Sequence, residues 1–470
     1  MKPTPRTPPV TTLLALAVAW ALTACNSPPL AGEAAPARTA AAPEATAAPM
    51  ATPFATPAPA VMPTPAAPPA APLTSRAADT PRNLQAIATQ QALALSAPVN
   101  SFEVPTPVPF DEAIARSGTE LFSQAAERLG AEQRTVVIDP LIDGATGAQT
   151  VSTEKMGVQL ESIIKARHSQ WQVKALTRQA LADKPLLLIG TLTPVNTVRA
   201  VDTPPDVFRV WVTLIDLRDG RVIAKQIDSA TVASVNNEPL KYFADSPTWH
   251  KDKTVLAYIN SCQRNTRIGD PADPEYLARL PAAAVMNEAM LAYGAGHIPA
   301  AQKLYQEAAP LADPGDLRVL NGLYLTSWQL GQKDAARKAF DSLVGSGLEQ
   351  QRLPVKLLFQ PGKTSFAVAG DLQQQYQMWI ASLAQQAAKT QSCVRVVGHT
   401  SRTGGARGNE VLSRQRAEAV QRMLEQGNRG LGTRLTAAGV GSREALVGLG
   451  TDDQRDALDR RVEFRVVDCI

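Results

Sequence analysis

An arginine on a helix, close in sequence to a strand that ends in glycine, could hold an anionic ligand. A strand at 394–398 runs into a polar loop at 400–408 that contains Ser401, and residues 409–427 read as a helix with an apolar stripe. Arg416 borders that stripe, so its guanidinium can point toward the loop. A fixed guanidinium beside backbone amides suits a carboxylate bound through two parallel hydrogen bonds.

No catalytic or metal-binding motif accompanies this arginine. The four histidines are scattered, and the four cysteines show no C-x-x-C spacing, so neither zinc nor thioredoxin chemistry is indicated. H-E-x-x-H, G-x-S-x-G and P-loop motifs are missing from the sequence. We therefore expect no enzyme, no cofactor and no metal. A structural ion pair is the alternative role for Arg416.

A nucleic-acid partner is not indicated either. The formal net charge of the sequence is only +4, and no basic run occurs. Nucleic-acid binding normally requires clustered lysines and arginines. The charge pattern therefore favours other partners.

The first 25 residues have the order of a lipoprotein signal peptide. A basic start precedes an apolar run at 13–22, which is too short for a transmembrane helix. Leu22-Thr23-Ala24-Cys25 follows and resembles the lipobox of bacterial lipoproteins. The resemblance implies lipidation of Cys25. In the sorting rule of that family, Asn26 in place of aspartate favours delivery to the outer membrane. An ordinary signal peptide or a buried cysteine is the alternative.

A long segment of low complexity follows Cys25. Of the 37 prolines, 22 lie in the first 110 residues, and 33 of the 55 positions in 26–80 are proline or alanine. This composition has too little large apolar surface to offset the entropy of ordering. We interpret residues 26–109 as a disordered linker with one candidate helix at 83–97. At about 3.1 Å per residue, residues 26–80 could reach about 170 Å.

Residues 110–265 alternate between helix and strand patterns. A helix is predicted at 111–129, and a second at 153–166 with Thr153 as its N-cap. The predicted strands are 135–138, 171–175, 186–192, 208–217 and 221–232. The segments TVVIDPLIDG, GVQLESII, LLLIGTL and WVTLIDLRDGRVIAKQ resemble the periplasmic α/β domain of the FlgO, CsgG and LpoB lipoproteins and of the N-terminal part of TolB. This resemblance implies binding or scaffolding; a generic α/β domain is the alternative.

Residues 282–350 contain a repeat of 35 residues. Three positions recur: Gly296 as Gly331, Ala301 as Ala336, and Tyr305 as Phe340. The glycine ends a helix, the small residue lets two helices approach, and the aromatic ring fills the gap between units. The pattern resembles the tetratricopeptide repeat (TPR) and implies a groove for a protein partner. Two repeats are fewer than a stable array needs, so we expect flanking elements to complete the stack. A helical spacer is the alternative.

Residues 353–470 carry the most specific pattern. The segments VVGHT, NEVLSRQRA, LTAAGVG and DRRVE follow one another in the order and spacing of the OmpA-like peptidoglycan-binding domain. The resemblance implies a βαβαβ sandwich. The expected fold is therefore a multidomain α/β protein with a signal peptide at 1–25, a disordered Pro/Ala tether, an α/β periplasmic domain, a short TPR-like helical segment and a C-terminal OmpA-like domain.

The resemblance also implies a ligand. In the OmpA-like family the arginine of N-x-x-L-S-x-x-R-A binds a carboxylate of the diaminopimelate in the peptidoglycan stem peptide, and an aspartate after G-H-T binds its ammonium. These positions are Arg416 and Ser401 here, so the aspartate is missing. Ser401 and Asn409 can still form hydrogen bonds, at about 0.5–1.5 kcal/mol for a neutral bond against about 1.5–3 for a charged one. We expect weakened or altered binding.

Two cysteines bracket this C-terminal domain. Cys393 opens the strand before G-H-T, and Cys469 follows the predicted last strand at 462–467. If these strands are antiparallel neighbours, the start of one lies beside the end of the other and a disulfide is feasible. Cys262 is left either as a buried thiol or as a partner in a bond between chains.

Together the patterns predict an outer-membrane lipoprotein that faces the periplasm. Lipid on Cys25 anchors it, the OmpA-like domain binds peptidoglycan non-covalently, and the middle region presents a surface to an unidentified envelope protein. Two alternatives stay open. One is a regulator or assembly factor of a synthase, a secretion machine or a flagellar or curli-type apparatus. The other is an interaction protein whose OmpA-like fold has lost peptidoglycan binding.

Overall fold

The computed structural model describes residues 105–197, 204–248, 251–263, 266–368 and 370–469. The predicted signal peptide, Cys25 and nearly all of the predicted linker lie outside these residues. No helix within the described ranges is both long enough and apolar enough to cross a bilayer. For description we divide the chain into an α/β part (105–263), a helical part (274–349) and a C-terminal part (353–469).

The α/β part alternates helices and strands as predicted. Its elements are α1 (Phe110–Leu129), β1 (Arg134–Ile138), β2 (Ile142–Asp143), α2 (Val151–Arg167), β3 (Trp171–Ala175), α3 (Arg178–Ala182), β4 (Leu186–Val195), β5 (Val207–Asp216), β6 (Arg221–Thr231), α4 (Lys241–Asp245) and α5 (Lys253–Cys262). The predicted N-cap of α2 was wrong by one turn. The cap is Thr150, whose hydroxyl accepts a hydrogen bond from Thr153 N, while Thr153 Oγ1 accepts one from Thr150 N.

The sheet of the α/β part is mixed and covered on both faces. Its strand order is β3-β1-β4-β5-β6, with β2 paired to β4; β1 is parallel to β3 and β4, and β4, β5 and β6 are antiparallel. Alternate residues of a strand point to opposite faces. Leu186 and Leu188 enter the core on the side of α1 and α2, whereas Leu187 and Ile189 enter the core on the side of α5. This double burial explains the uninterrupted apolar run of β4.

The helical part consists of two antiparallel helix pairs. Its helices are α6 (Pro274–Gly294), α7 (Ile298–Ala308), α8 (Leu317–Gln329) and α9 (Lys333–Glu349), so the first begins before the predicted residue 282. Gly296 and Gly331 follow α6 and α8 with φ of +79° and +73°, a left-handed conformation that glycine adopts without strain. These two glycines therefore end the first helix of each pair.

An aromatic residue of the α/β part packs into the helical part. Tyr242 of α4 is buried among the aromatic residues of the helical part, with its ring centroid 5.8 Å from that of Tyr293 and 6.2 Å from that of Tyr305. Asn321 Nδ2 donates a hydrogen bond to the Tyr242 hydroxyl at 2.9 Å. Two aromatic positions of the repeat pattern, Tyr293 and Tyr305, therefore pack against α4.

The C-terminal part has the predicted βαβαβ order followed by one more strand. Its elements are β7 (Lys356–Leu358), α10 (Asp371–Lys389), β8 (Cys393–Gly398), α11 (Ala406–Gly427), β9 (Leu435–Gly439) and β10 (Arg461–Val467). The sheet order is β7-β10-β8-β9, in which β8 and β9 are parallel and the other pairs antiparallel. Helix α11 begins at Ala406 with Gly405 as N-cap, three residues before the predicted start at Asn409.

The helical and C-terminal parts share one hydrophobic core. The Trp379 ring of α10 stacks on Phe340 of α9 with centroids 5.8 Å apart, and its Nε1 donates to the Tyr324 hydroxyl at 2.7 Å. Buried residues form one continuous cluster from α6 to β10. Helix α10 of the C-terminal part thus packs against α8 and α9.

A buried lysine joins the C-terminal part to the α/β part. The side chain of Lys356 donates to the carbonyls of Ser246 at 2.7 Å and Thr248 at 2.8 Å, and its backbone N donates to Pro247 O at 2.9 Å. Burial lowers the pKa of Lys356 to about 7. These contacts hold the start of β7 against residues 246–248.

The structure contains a disulfide between Cys393 and Cys469, with their Cα atoms 5.2 Å apart. Strands β8 and β10 are antiparallel neighbours, and Val467 lies opposite Cys393. This is the arrangement on which the predicted pairing depended. Cys262 is a free thiol in the core of the α/β part, where burial raises its pKa to about 11.

Candidate functional site

The predicted ligand site lies where β8 ends. Gly398 packs so closely on α11 that a Cβ there would lie 1.9 Å from Ser413 O. The Ser413 hydroxyl also accepts a hydrogen bond from Gly441 N at 2.9 Å, in the turn after β9. These contacts hold three segments together: the loop 399–402, the first half of α11 and the turn after β9.

Arg416 is buried and fully engaged with backbone carbonyls. It is 0% exposed, and its Nε, Nη1 and Nη2 donate at 2.9 Å each to the carbonyls of Lys363, His399 and Gln360 respectively. Its Cζ lies 5.2 Å from the centroid of the Phe359 ring. Burial lowers the pKa of Arg416 to about 10. The fixed guanidinium is present, but it ties together the end of β8 and the turn at 360–363 instead of facing the loop 400–408.

Asn409 fastens the loop before α11. Its Nδ2 donates to Thr403 O at 3.1 Å and to Ser401 O at 3.4 Å. The residue is 8% exposed. In this structure Asn409 therefore shapes the loop rather than presenting its amide to solvent.

Ser401 is paired with an aspartate that the sequence analysis missed. Its Oγ donates to Asp452 Oδ1 at 2.9 Å, and Arg460 Nη1 donates to the same oxygen at 2.9 Å. Asp452 has a φ of +56°, and its backbone N donates to Asp456 Oδ2 at 3.0 Å. Ser401 and Asp452 are 51 residues apart, so no local spacing pointed to the pair. The structure thus brings a carboxylate to the position where the sequence lacks one.

Two buried carboxylates shape the loop that presents Asp452. Asp459 accepts hydrogen bonds from the backbone N–H groups of residues 446, 447 and 448, and Asp456 accepts them from residues 449, 451 and 452. Both are 0% exposed, and burial raises the pKa of Asp459. An asparagine at 459 would have one acceptor oxygen where both carboxylate oxygens are used. Asp459 therefore has a structural role in this chain.

His399 lies beside an ion-pair network, and burial lowers the pKa of its imidazole. Its Nε2 lies 3.4 Å from Glu463 Oε1, and Glu463 also binds Arg461 at 3.1 Å and Arg465 at 2.8 Å. Arg465 binds Glu444 as well. His399, Glu444 and Glu463 could together offer a metal ion three ligand atoms within 4.8 Å of one another. Since the two arginines already pair with these carboxylates, we interpret the cluster as structural.

The comparisons with known proteins reach this same part of the chain. Residues 358–458 match the OmpA family. The solved peptidoglycan-associated lipoprotein from Burkholderia pseudomallei is 28% identical, over 24% of this chain and 89% of that chain, with a TM-score of 0.21. The OmpA-like domain of FopA1 from Francisella tularensis is 26% identical, over 24% and 70%, with a TM-score of 0.19. The periplasmic domain of Helicobacter pylori MotB is 18% identical, over 24% and 71%, with a TM-score of 0.20.

The comparison with curated proteins returned no match. The matches described above cover about a quarter of the chain. The resemblance of residues 110–265 to the FlgO group and of residues 282–350 to the tetratricopeptide repeat therefore stays a prediction. Residues 358–458, in contrast, form an OmpA-family domain.

Proposed function

We propose that this chain is an outer-membrane lipoprotein that binds the stem peptide of peptidoglycan non-covalently through its C-terminal part. The observation that carries the proposal is the OmpA-family domain at residues 358–458. Lipid on Cys25 would anchor the chain, and residues 26–109 would let the folded parts reach the wall from the periplasmic side of the membrane. The domain boundaries predicted from the sequence are part of this proposal.

The site geometry supports a ligand that carries charges of both signs. The guanidinium of Arg460 and the carboxylate of Asp452 lie together at the loop 399–402. The carboxylates of Asp456 and Asp459 fix the loop that carries them. A preformed polar site needs little reorganisation when a ligand binds.

The middle region would act as a rigid neighbour of the wall-binding part. The shared core and the hydrogen bonds of Lys356 support this, because they join the helical, α/β and C-terminal parts by direct contacts. An envelope protein would bind an exposed surface of residues 110–350. In-cell cross-linking, with and without residues 110–350, would identify such a partner.

The burial of Arg416 favours a second candidate function. A side chain that is 0% exposed cannot contact a ligand unless the turn at 360–363 moves away. An OmpA-family domain with this arginine closed off would be an interaction module that no longer binds peptidoglycan. In this alternative the domain keeps its fold but does not bind the stem peptide of peptidoglycan.

Sedimentation with purified sacculi separates the two candidates. The full chain, purified from membranes in mild detergent, should pellet with intact sacculi. It should stay in the supernatant with sacculi whose stem peptides an amidase has removed. Failure to pellet with intact sacculi would contradict the proposed function and support the second candidate.

The anchor is tested separately. The Cys25→Ser variant should lose labelling by radioactive palmitate and leave the membrane fraction, because a thioether-linked lipid requires the thiol. Its pelleting with sacculi should be unchanged. Membrane association that persists in this variant would argue against lipidation at Cys25.

A further inference from the structure

Six buried polar atoms in or beside the loop 399–402 have no hydrogen-bond partner among the described residues. They are His399 Nδ1, His399 Nε2, Thr400 Oγ1, Arg402 Nε, Arg402 Nη1 and Arg460 Nε. Thr400 is 2% exposed and Arg460 is 5% exposed. Buried polar groups in native proteins are nearly always paired, so atoms like these indicate a place for a bound water or ligand. They flank the Ser401–Asp452 pair.

Asp452 is the accessible carboxylate of this cluster. Its side chain is 30% exposed, whereas that of Arg460 is 6% exposed. Ser401 and Arg460 both bind Oδ1, and within the part of the chain that the structure describes no hydrogen bond uses Oδ2. The backbone of Asp452 is held in the left-handed region, at φ +56°, by its bond to Asp456. Such a conformation persists only where the surroundings impose it, and it is common at ligand-binding positions.

Arg402 brings a positive charge to the loop 448–450, which leads into Asp452. It lies across the loop 448–450: a Cβ at Gly448 would be 2.8 Å from Arg402 Nε, and one at Gly450 would be 3.7 Å from Arg402 Cβ. It is next in sequence to Ser401, the hydrogen-bond partner of Asp452. Its free N–H groups contrast with those of Arg416, whose three nitrogens all donate to carbonyls.

We propose that Asp452 and Arg402 form a site for a zwitterionic amino-acid end, in which Asp452 binds the ammonium and Arg402 binds the carboxylate. The inference rests on the proposed function and names the residues that would recognise its ligand. It also explains how the site can have a carboxylate although position 401 is a serine. Asp452 supplies the carboxylate from the loop 446–459, and the Ser401 hydroxyl orients it. Arg416 then shapes the site from behind without touching the ligand.

The test measures the affinity of the full chain for a soluble stem peptide with a free amino-acid end. Asp452→Asn should weaken binding about tenfold, since a charge-assisted bond is replaced by a neutral one. The matched control is Asp453→Asn, the same change one residue further on, which should leave the affinity unchanged. For the arginine, Arg402→Gln should weaken binding by a similar factor, and Arg407→Gln, at an exposed position in the first turn of α11, should not.

Chemically modified peptides show which residue binds the ammonium and which binds the carboxylate of the ligand. Acetylation of the peptide's amine should weaken binding to the wild type and leave the already weakened Asp452→Asn variant unaffected. Amidation of the peptide's carboxylate should likewise weaken binding to the wild type and leave the already weakened Arg402→Gln variant unaffected. The double variant Ser401→Asp/Asp452→Asn, which moves the carboxylate by one side chain, should recover part of the affinity and of the preference for a free amine.

The outcomes separate this inference from the proposed function. A wild type that binds no stem peptide contradicts the proposed function itself. A wild type that binds the acetylated and the free peptide equally overturns the inference while the function stands, and this result does not depend on the folding of any variant. Asp452→Asn that binds like the wild type, with a lowered melting temperature, would show that Asp452 is only a counter-ion of Arg460.

Discussion

Replacing Arg416 should destabilise the fold strongly, because the structure gives its guanidinium a structural task. It donates three hydrogen bonds at 2.9 Å from a fully buried position. Hydrogen bonds to charged groups contribute about 1.5–3 kcal/mol each. In Arg416→Lys a compact ammonium cannot span three carbonyls, so about two bonds are lost. In this variant water can form hydrogen bonds to the carbonyls of Gln360 and Lys363, because both belong to a turn. We therefore expect the free energy of unfolding to fall by about 3 kcal/mol.

Arg416→Ala should cost more than the lysine variant. It removes all three hydrogen bonds and leaves space beneath the Phe359 ring, which lies 5.2 Å from Cζ in the wild type. Large-to-small changes in a core cost about 2–5 kcal/mol, so we expect about 5 kcal/mol for this variant. The assay is urea unfolding of the full chain followed by tryptophan fluorescence and circular dichroism.

The matched control is the neighbouring exposed arginine. Arg414→Lys should change the free energy of unfolding by less than about 0.5 kcal/mol, as is usual for surface positions. If Arg416→Lys costs no more than this control, the guanidinium does not hold the turn at 360–363. The reasoning from its burial and its three acceptors would then be refuted.

Three further predictions follow from particular contacts. Replacing both Cys393 and Cys469 with serine opens a loop with a sequence separation of 76 residues. This should lower stability by about 4 kcal/mol in the chain-entropy model, and a reductant should then no longer affect the melting temperature. The stability of the wild type relative to Lys356→Met should rise between about pH 7 and 10. In the folded state the pKa of Lys356 is lowered to about 7, so between about pH 7 and 10 only the unfolded state keeps the proton on this lysine. If the free energy of unfolding of the two proteins changed equally with pH, this reasoning would be contradicted. Gly322→Ala should lower the melting temperature, because its Cβ would lie 2.2 Å from the Tyr305 ring; a neutral effect in thermal unfolding would show that the helices can separate at little cost.

The parts of the fold that sequence could predict are those with local patterns. The short apolar run of β4 and the turn signal between β5 and β6 are local patterns, so the existence and order of these strands were predictable. The motif N-E-V-L-S-R-Q-R-A placed α11 to within three residues, and the pairing of Cys393 with Cys469 followed from the expected strand neighbours. For the strands and for α11 the information lies within a short stretch of chain, whereas the disulfide also needed the family's strand order.

The parts that sequence could not predict depend on contacts between distant residues. Tyr242 packs on Tyr305, and Asp452 pairs with Ser401, although nothing in the spacing of either pair indicates a contact. The sequence placed Arg416 on the border of an apolar stripe of α11. Its hydrogen-bond acceptors are backbone carbonyls, which every residue has, so the sequence could not identify them. The motif thus indicated which segment carries the candidate site, whereas the charged residues Asp452 and Arg460 were identified only from the structure.

The central claim is that the C-terminal part binds the stem peptide of peptidoglycan. The most direct test is the fraction of the full chain that sediments with intact sacculi, compared with sacculi stripped of their stem peptides. We predict sedimentation with the intact sacculi alone. A chain that stays in the supernatant with both, while circular dichroism shows it to be folded, would contradict the claim.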